Sequence, residues 1–428
     1  MEIIGAHSIK GEIKIPGDKS ISHRSAIISA ITHETVAIKN FLFSEDCINT
    51  LSVLGKLGAK TERIDDTLIV YGCGFENFKE PDDILYVGNS GTTIRLMAGI
   101  LAAAGFNSVL SGDSSINCRP MNRILKPLSE MGANIYGRDN NTKAPIIIIG
   151  NSRMKGRAFD INVSSAQVKS CLALAGLFSE GTTEINQPEV SRDHTERMLE
   201  YFGADIFYDG KYTRITPGKK LTGKNIFIPC DISSAAYFIV AGLILKDSSI
   251  VLKDIGINPT RSYFLELINN MGAGIKIKNT RVQNNEQLAD IEVRSSPLKS
   301  VKINKEFIPN IIDEIPVLCV AAAFSEGKTI ISGAKELRFK ESDRISCIVA
   351  EFKKAGVSID EMDDGIIING NPDLRINEGV YESYGDHRMA MSIAILGLKS
   401  KTQIKIQGSE SIDTSFPGFK YELKKAVN

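Results

Sequence analysis

In "IPGDKSISHRSAIISA" (15–30), Asp18, Lys19, Ser20, His23 and Arg24 follow a Pro-Gly turn, and only then does an apolar run begin. The unpaired N–H groups of a helix start carry partial positive charge, so carboxylates and hydroxyls suit that end and cations do not. Either Lys19 and Arg24 are an ordinary solvated pair, or an anion binds there. Five further stretches repeat this polar start with different chemistry each time. "GNSGTTIRL" (88–96) carries Asn89, Gly91, Thr92 and Arg95, and Gly91 lets backbone N–H groups approach a ligand closely. "SSAQVK" (164–169) carries Ser164, Ser165, Gln167 and Lys169, and "DISSA" (231–235) carries Asp231, Ser233 and Ser234. The fifth start has the carboxylates Asp313 and Glu314; the sixth, "YGDHRMAM" (384–391), has Asp386, His387 and Arg388. Between them stand Arg119, Arg123, Arg192, His194, Arg338, Lys340, Glu341 and Arg344. Capping or a solvated face explains each alone. Repetition in one structural place, with chemistry that varies, points instead to function. Several cations plus paired carboxylates suit small substrates bearing phosphate and carboxylate, with proton transfer between them.

The elements that position these residues are also periodic. Each polar start leads into a helix that is apolar or small around its circumference, such as "SSAAYFIVAGLIL" or "IPVLCVAAAF", and such helices are buried on all sides. Short β-rich runs, "DTLIVYG" and "APIIIIG" among them, read as strands bounded by turns. A second phrase, out of phase with the first, closes a helix on Gly58, Gly132, Gly203, Gly272 and Gly356, each expected as a left-handed C-cap. Six helix–strand–helix–strand units imply an α/β protein of two domains with three units each, buried helices inside and sheets outside. The expected domains are residues 1–18 plus 231–428, and residues 19–230. Parallel helices would bring their positive ends to one surface of each domain, and two such surfaces facing each other make an anion-binding cleft.

Composition narrows the ligands. The 428 residues carry zero net charge, so no global field draws in nucleic acid or an anionic membrane. Seven dispersed cysteines without a C-x-x-C pair fit a reducing cytosol better than disulfides or zinc. The longest apolar runs, such as "YFIVAGLIL" (237–245), are about half a membrane span, and the N-terminus lacks a signal pattern. The reading is a soluble cytoplasmic protein. "GKKLTGKN" (218–225) has P-loop spacing but ends in Asn225 and runs into a strand-like "IFIP". Cys118, directly before Arg119, is a nucleophile or a buried or incidental thiol.

Jointly, "GDKSISHR" (17–24), "GNSGTTIRLMAG" (88–99), "RPM" (119–121), "SSAQVKS" (164–170), "IDEIPVL" (312–318), "KESDR" (340–344) and "YGDHRMAMS" (384–392) are highly specific. Over essentially its whole length the chain resembles the 5-enolpyruvylshikimate-3-phosphate synthase family, and "RDHTE" and "NPTR" resemble its class II subgroup. The resemblance implies the enolpyruvyl transferase fold, two domains each of three βαβαββ units. It implies transfer of the enolpyruvyl group of phosphoenolpyruvate to the 5-hydroxyl of shikimate 3-phosphate, by addition and elimination, in aromatic amino acid synthesis. No cofactor or metal is implied, and the enzyme is expected as a monomer. By the same resemblance Lys19, Ser20, Arg24, Ser164, Ser165, Gln167, Asp313 and Lys340 bind shikimate 3-phosphate. Lys19, Asn89, Gly91, Arg119, Gln167, Arg344 and Arg388 bind phosphoenolpyruvate, whose analogue glyphosate would enter the pocket at Gly91. Asp313 is the implied general base, Glu341 the proton donor, and Lys19 a third catalytic residue. Thr414 in "DTSFPGF" stands where many family members place a phosphate-binding Lys. Alternatives are the sister UDP-N-acetylglucosamine enolpyruvyl transferase and a non-catalytic anion- or RNA-binding repeat protein. The first lacks its longer Gly-rich loop and Lys-Asn start here. Zero net charge and the lack of interleaved aromatics weigh against the second.

Overall fold

The computed structural model describes residues 1–150 and 153–427; Asn151, Ser152 and Asn428, inside the expected domain bounds, lie outside the described residues. The chain forms two compact units. The first comprises Met1–Pro16, Pro229–Val282 and Gln287–Asn428, and the second Gly17–Ile228 with Gln283–Glu286.

Three helices fill the core of the second unit: α1 (Lys19–Ala30), α2 (Gly91–Leu101) and α3 (Ala166–Gly176). Three fill that of the first: α4 (Ile232–Ile244), α5 (Ile315–Ala323) and α6 (His387–Gly397). Every residue of α4, α5 and α6 is buried, as helices without a polar face require. Caps fix five of the six starts. Asp18, Ser90, Ser165, Asp231 and Asp386 each accept a backbone N–H of the first turn. Helix α5 differs: its N-cap, Glu314, makes no side-chain cap bond, and Pro316 occupies its first turn.

Each unit carries three sheets around its core. In the second unit, Leu85–Tyr86, Ser108–Ser111, Lys143–Ile149 and Asn134–Gly137 pair in that spatial order, parallel and then antiparallel. With α2 and the helix Asn122–Glu130 this is one βαβαββ repeat. Side chains alternate along Lys143–Ile149 between the buried helices and the outside. Two repeats borrow their first strand from elsewhere in the chain. Ile226–Phe227 completes the sheet of Thr35–Lys39, and Lys10–Ile13 that of Ser249–Gly256. The last sheet, Gly379–Glu382 beside Ile404–Gln407, is closed by the antiparallel strand Glu2–Ile3.

The five glycines of the second phrase all have positive φ, from 87° to 102°. Each sits just beyond a helix, and the following N–H reaches back to the carbonyl five residues earlier, as from Ala133 to Leu128 at 3.0 Å. This is the Schellman closure, which an L side chain at that position would strain. Among the described residues no helix is long and apolar enough to cross a membrane.

Candidate functional site

In the second unit the three helix starts are tied together by polar side chains. On α1, His23 Nδ1 lies 2.7 Å from Thr50 Oγ1, which lies 2.6 Å from Thr93 Oγ1 on α2. Gln167 on α3 bridges back to α2: its Oε1 accepts from Arg95 Nη1 at 2.7 Å and its Nε2 donates to Thr92 Oγ1 at 3.1 Å. Arg95 Nη1 also reaches the Gly91 carbonyl at 3.2 Å. Arg119 donates to Asn89 Oδ1, while Asn89 Nδ2 donates to Asp113 at 2.9 Å. Asn89, Gly91, Arg119 and Gln167 therefore converge, and Arg95 joins them. Gly91 leaves room for two arginines: a Cβ there would stand 2.8 Å from Arg95 Nη1 and 3.2 Å from Arg119 Nη1.

The solvated-pair reading of Lys19 and Arg24 fails. Lys19 Nζ donates to Asp46 at 3.0 Å with its side chain only 17% exposed. Arg24 is 3% exposed, and burial lowers its pKa to about 10, with Glu196 and Asp18 opposing. Ser20 lends its carbonyl to Arg24 at 3.0 Å. Ser165 caps α3, and Ser164 Oγ accepts from the Glu189 N–H at 2.8 Å. Lys169 instead makes a buried ion pair with Glu196 at 2.6 Å.

His23 lies fully inside this assembly, and burial, then Lys19 and Arg24, hold its pKa well below the usual 6.5. The unfolded chain therefore binds this proton first as pH falls. Stability should decline below about pH 6.5, by up to about 1.4 kcal/mol per pH unit for one proton. In His23→Asn, whose side chain can still meet Thr50, urea midpoints between pH 7.5 and 5 should show a shallower decline. An unchanged slope would assign the acid sensitivity elsewhere.

In the first unit, carboxylates and arginines interlock. Arg344, 1% exposed, donates from Nε to Asp386 Oδ2 at 2.7 Å and from Nη2 to Glu341 at 2.5 Å. Its Nη1 lies 3.5 Å from Asp313 Oδ1. Arg388 lies 3.4 Å from the same oxygen through Nε and donates from Nη1 to the Asp313 carbonyl at 3.0 Å. Burial works against both guanidinium charges, but Asp386 and Glu341 carry Arg344 above its ordinary pKa, and Asp313 chiefly does so for Arg388. Asp313, read in the sequence as part of the fifth polar start, lies two residues before α5 and faces two arginines. Asp386 both caps α6 and pairs with Arg344. Beneath α5, Ser233 donates to Glu314, and Arg261 Nη2 donates to Ser233 at 2.6 Å and lies 3.5 Å from Asp231. Asp231, Ser233 and Glu314 are thereby absorbed into the core. Arg338 is held outside it by Asp343 and Glu361, both at 2.9 Å. Lys340 lies half-buried just before Glu341.

Cys118 is exposed, so it is not a buried thiol. "GKKLTGKN" leads straight into the strand Ile226–Phe227, with no helix to receive a phosphate.

Arg95, already named in the second polar start, joins the assembly, and Asp46 enters it from outside the expected residues. Ser170 and Thr195 lie inside the quoted "SSAQVKS" and "RDHTE" but have no role assigned to them there.

A family model described as EPSP synthase (3-phosphoshikimate 1-carboxyvinyltransferase) matches residues 3–423. A 3-phosphoshikimate 1-carboxyvinyltransferase of Petrotoga mobilis is 48% identical over 422 residues, covering 98% of this chain and 97% of the relative. The solved EPSP synthase of Acinetobacter baumannii superposes with a TM-score of 0.89 at 42% identity, covering 99% of this chain and 97% of that one. The enolpyruvyl transferase NikO of Streptomyces tendae shares the fold, with a TM-score of 0.80 at 16% identity over 99% of this chain and 96% of its own. The chain belongs to the EPSP synthase (3-phosphoshikimate 1-carboxyvinyltransferase) family.

Proposed function

We propose that the chain carries out its family's reaction through the two assemblies described. The enolpyruvyl group of phosphoenolpyruvate moves to the 5-hydroxyl of shikimate 3-phosphate, and phosphate leaves. Lys19, Ser20, Arg24, Ser164, Ser165 and Gln167 bind shikimate 3-phosphate, with Asp313 and Lys340. Lys19, Asn89, Gly91, Arg119, Gln167, Arg344 and Arg388 hold phosphoenolpyruvate. The observation that carries this reading is the Asp313 carboxylate, 3.4 Å from Arg388 and 3.5 Å from Arg344. Two guanidiniums favour its ionised form, which is the form a base needs.

Chemistry then follows in two balanced steps. The hydroxyl loses its proton to Asp313 as its oxygen attacks C2, and C3 gains a proton from Glu341. Phosphate then departs from C2, taking up the proton that Asp313 accepted, while C3 returns a proton to Glu341, restoring the vinyl group and both carboxyl groups. All these residues come from one chain, so a monomer suffices, and seven free cysteines suit the cytosol.

Phosphate release from phosphoenolpyruvate should depend on shikimate 3-phosphate and not start with UDP-N-acetylglucosamine. Release with the nucleotide sugar alone would favour the sister activity. Gly91→Ala tests the pocket. Both groups crowded by the new Cβ are ends of flexible side chains, so the fold should survive while Arg95 and Arg119 move. The KM for phosphoenolpyruvate should rise about tenfold, and the inhibition constant of glyphosate more. Unchanged constants would place the pocket elsewhere.

A further inference from the structure

Arg24 is held in an unusual way for a buried cation. Its Nε donates to Thr195 Oγ1 at 2.6 Å and its Nη2 to Ser170 Oγ at 2.8 Å, and the two hydroxyls lie 2.6 Å apart. No carboxylate hydrogen bond to this guanidinium is found among the described residues. The carboxylate that most favours its charge, Glu196, is bound to Lys169 at 2.6 Å, with both side chains at most 1% exposed. Lys169 adjoins Ser170 on α3, and Glu196 adjoins Thr195 on the helix His194–Tyr201. The ion pair thus fixes one helix against the other, and their next residues form a two-hydroxyl cradle.

We propose that Thr195 and Ser170 are positioning residues that set the Arg24 guanidinium for an anionic substrate without neutralising it. A carboxylate would hold the group as firmly but would cancel the charge the substrate needs, whereas hydroxyls orient it and leave the charge intact. Lys169 and Glu196 pair with each other, so the charge that stabilises the scaffold is kept apart from the charge that binds. The inference rests on Arg24 as a ligand of shikimate 3-phosphate.

Thr195→Val keeps the shape and removes the hydroxyl; Thr195→Ser keeps the hydroxyl. The Val variant should raise the KM for shikimate 3-phosphate roughly tenfold, as expected for a lost bond to a charged group. The KM for phosphoenolpyruvate should stay within about twofold on the same grounds, and Ser should restore the first constant. Ser170→Ala should act like Val and serves if the Val enzyme does not fold. Equal rises in both constants, or no rescue by Ser, would mean general loosening and would overturn the proposal. An unchanged KM for shikimate 3-phosphate in both hydroxyl variants, while Arg24→Gln raises it, would also overturn it. If Arg24→Gln itself leaves that constant unchanged, the assignment of Arg24 to the substrate is what fails.

Discussion

Asp313→Asn should lower turnover by about 10²–10⁴-fold, the usual worth of a general base, while shikimate 3-phosphate binds nearly as before. Asn keeps the size and one acceptor oxygen for Arg388 and Arg344, but it cannot take a proton from the hydroxyl. The change removes one negative charge from a cluster in which Asp386 and Glu341 still face Arg344, so melting temperature should move little. Had Asp313 been a plain cap, Asn would serve about as well, but Glu314 holds the N-cap position of α5. Steady-state rates beside calorimetric titration separate the outcomes. A fully active Asn enzyme would remove Asp313 from the chemistry and leave the fold intact.

Arg344→Met should fail more broadly. It leaves Asp386, itself 0% exposed, without its buried cation, and frees Glu341 and Asp313 to repel each other. Removing one partner of a buried ion pair costs about 3–5 kcal/mol. The first thermal transition should drop clearly, and activity should be lost even below it. Arg344→Lys should recover part of the stability and little activity, because one ammonium cannot serve three carboxylates in the fixed directions of a guanidinium. A Met variant that melts like the wild type would show that the three carboxylates do not depend on Arg344.

What could be read from the sequence was what is local. The buried helices announce themselves by lacking a polar face, and the five glycines from Gly58 to Gly356 by closing helices in left-handed geometry. The polar starts were legible for the same reason: caps and their neighbours lie within one turn. Partnerships across the chain were not. Asp46 for Lys19, and Thr195 for Arg24, are separated by 27 and 171 residues, and no period links them. Nor does a local pattern reveal that Ile226–Phe227 completes a sheet begun at Thr35. Asp386 and Ser165 read equally well as caps or as site residues; Asp386 proves to be a cap that also pairs with Arg344.

On the proposed mechanism, proton addition and removal at C3 accompany group transfer. This is tested most directly by running the protein with phosphoenolpyruvate and shikimate 3-phosphate in D₂O and weighing the products. The expected result is one phosphate per enolpyruvyl ether, with deuterium in the ether's vinyl methylene, because C3 gains a solvent-derived proton on addition and loses one on elimination. An ether free of deuterium, or phosphate released with no ether formed, would contradict it.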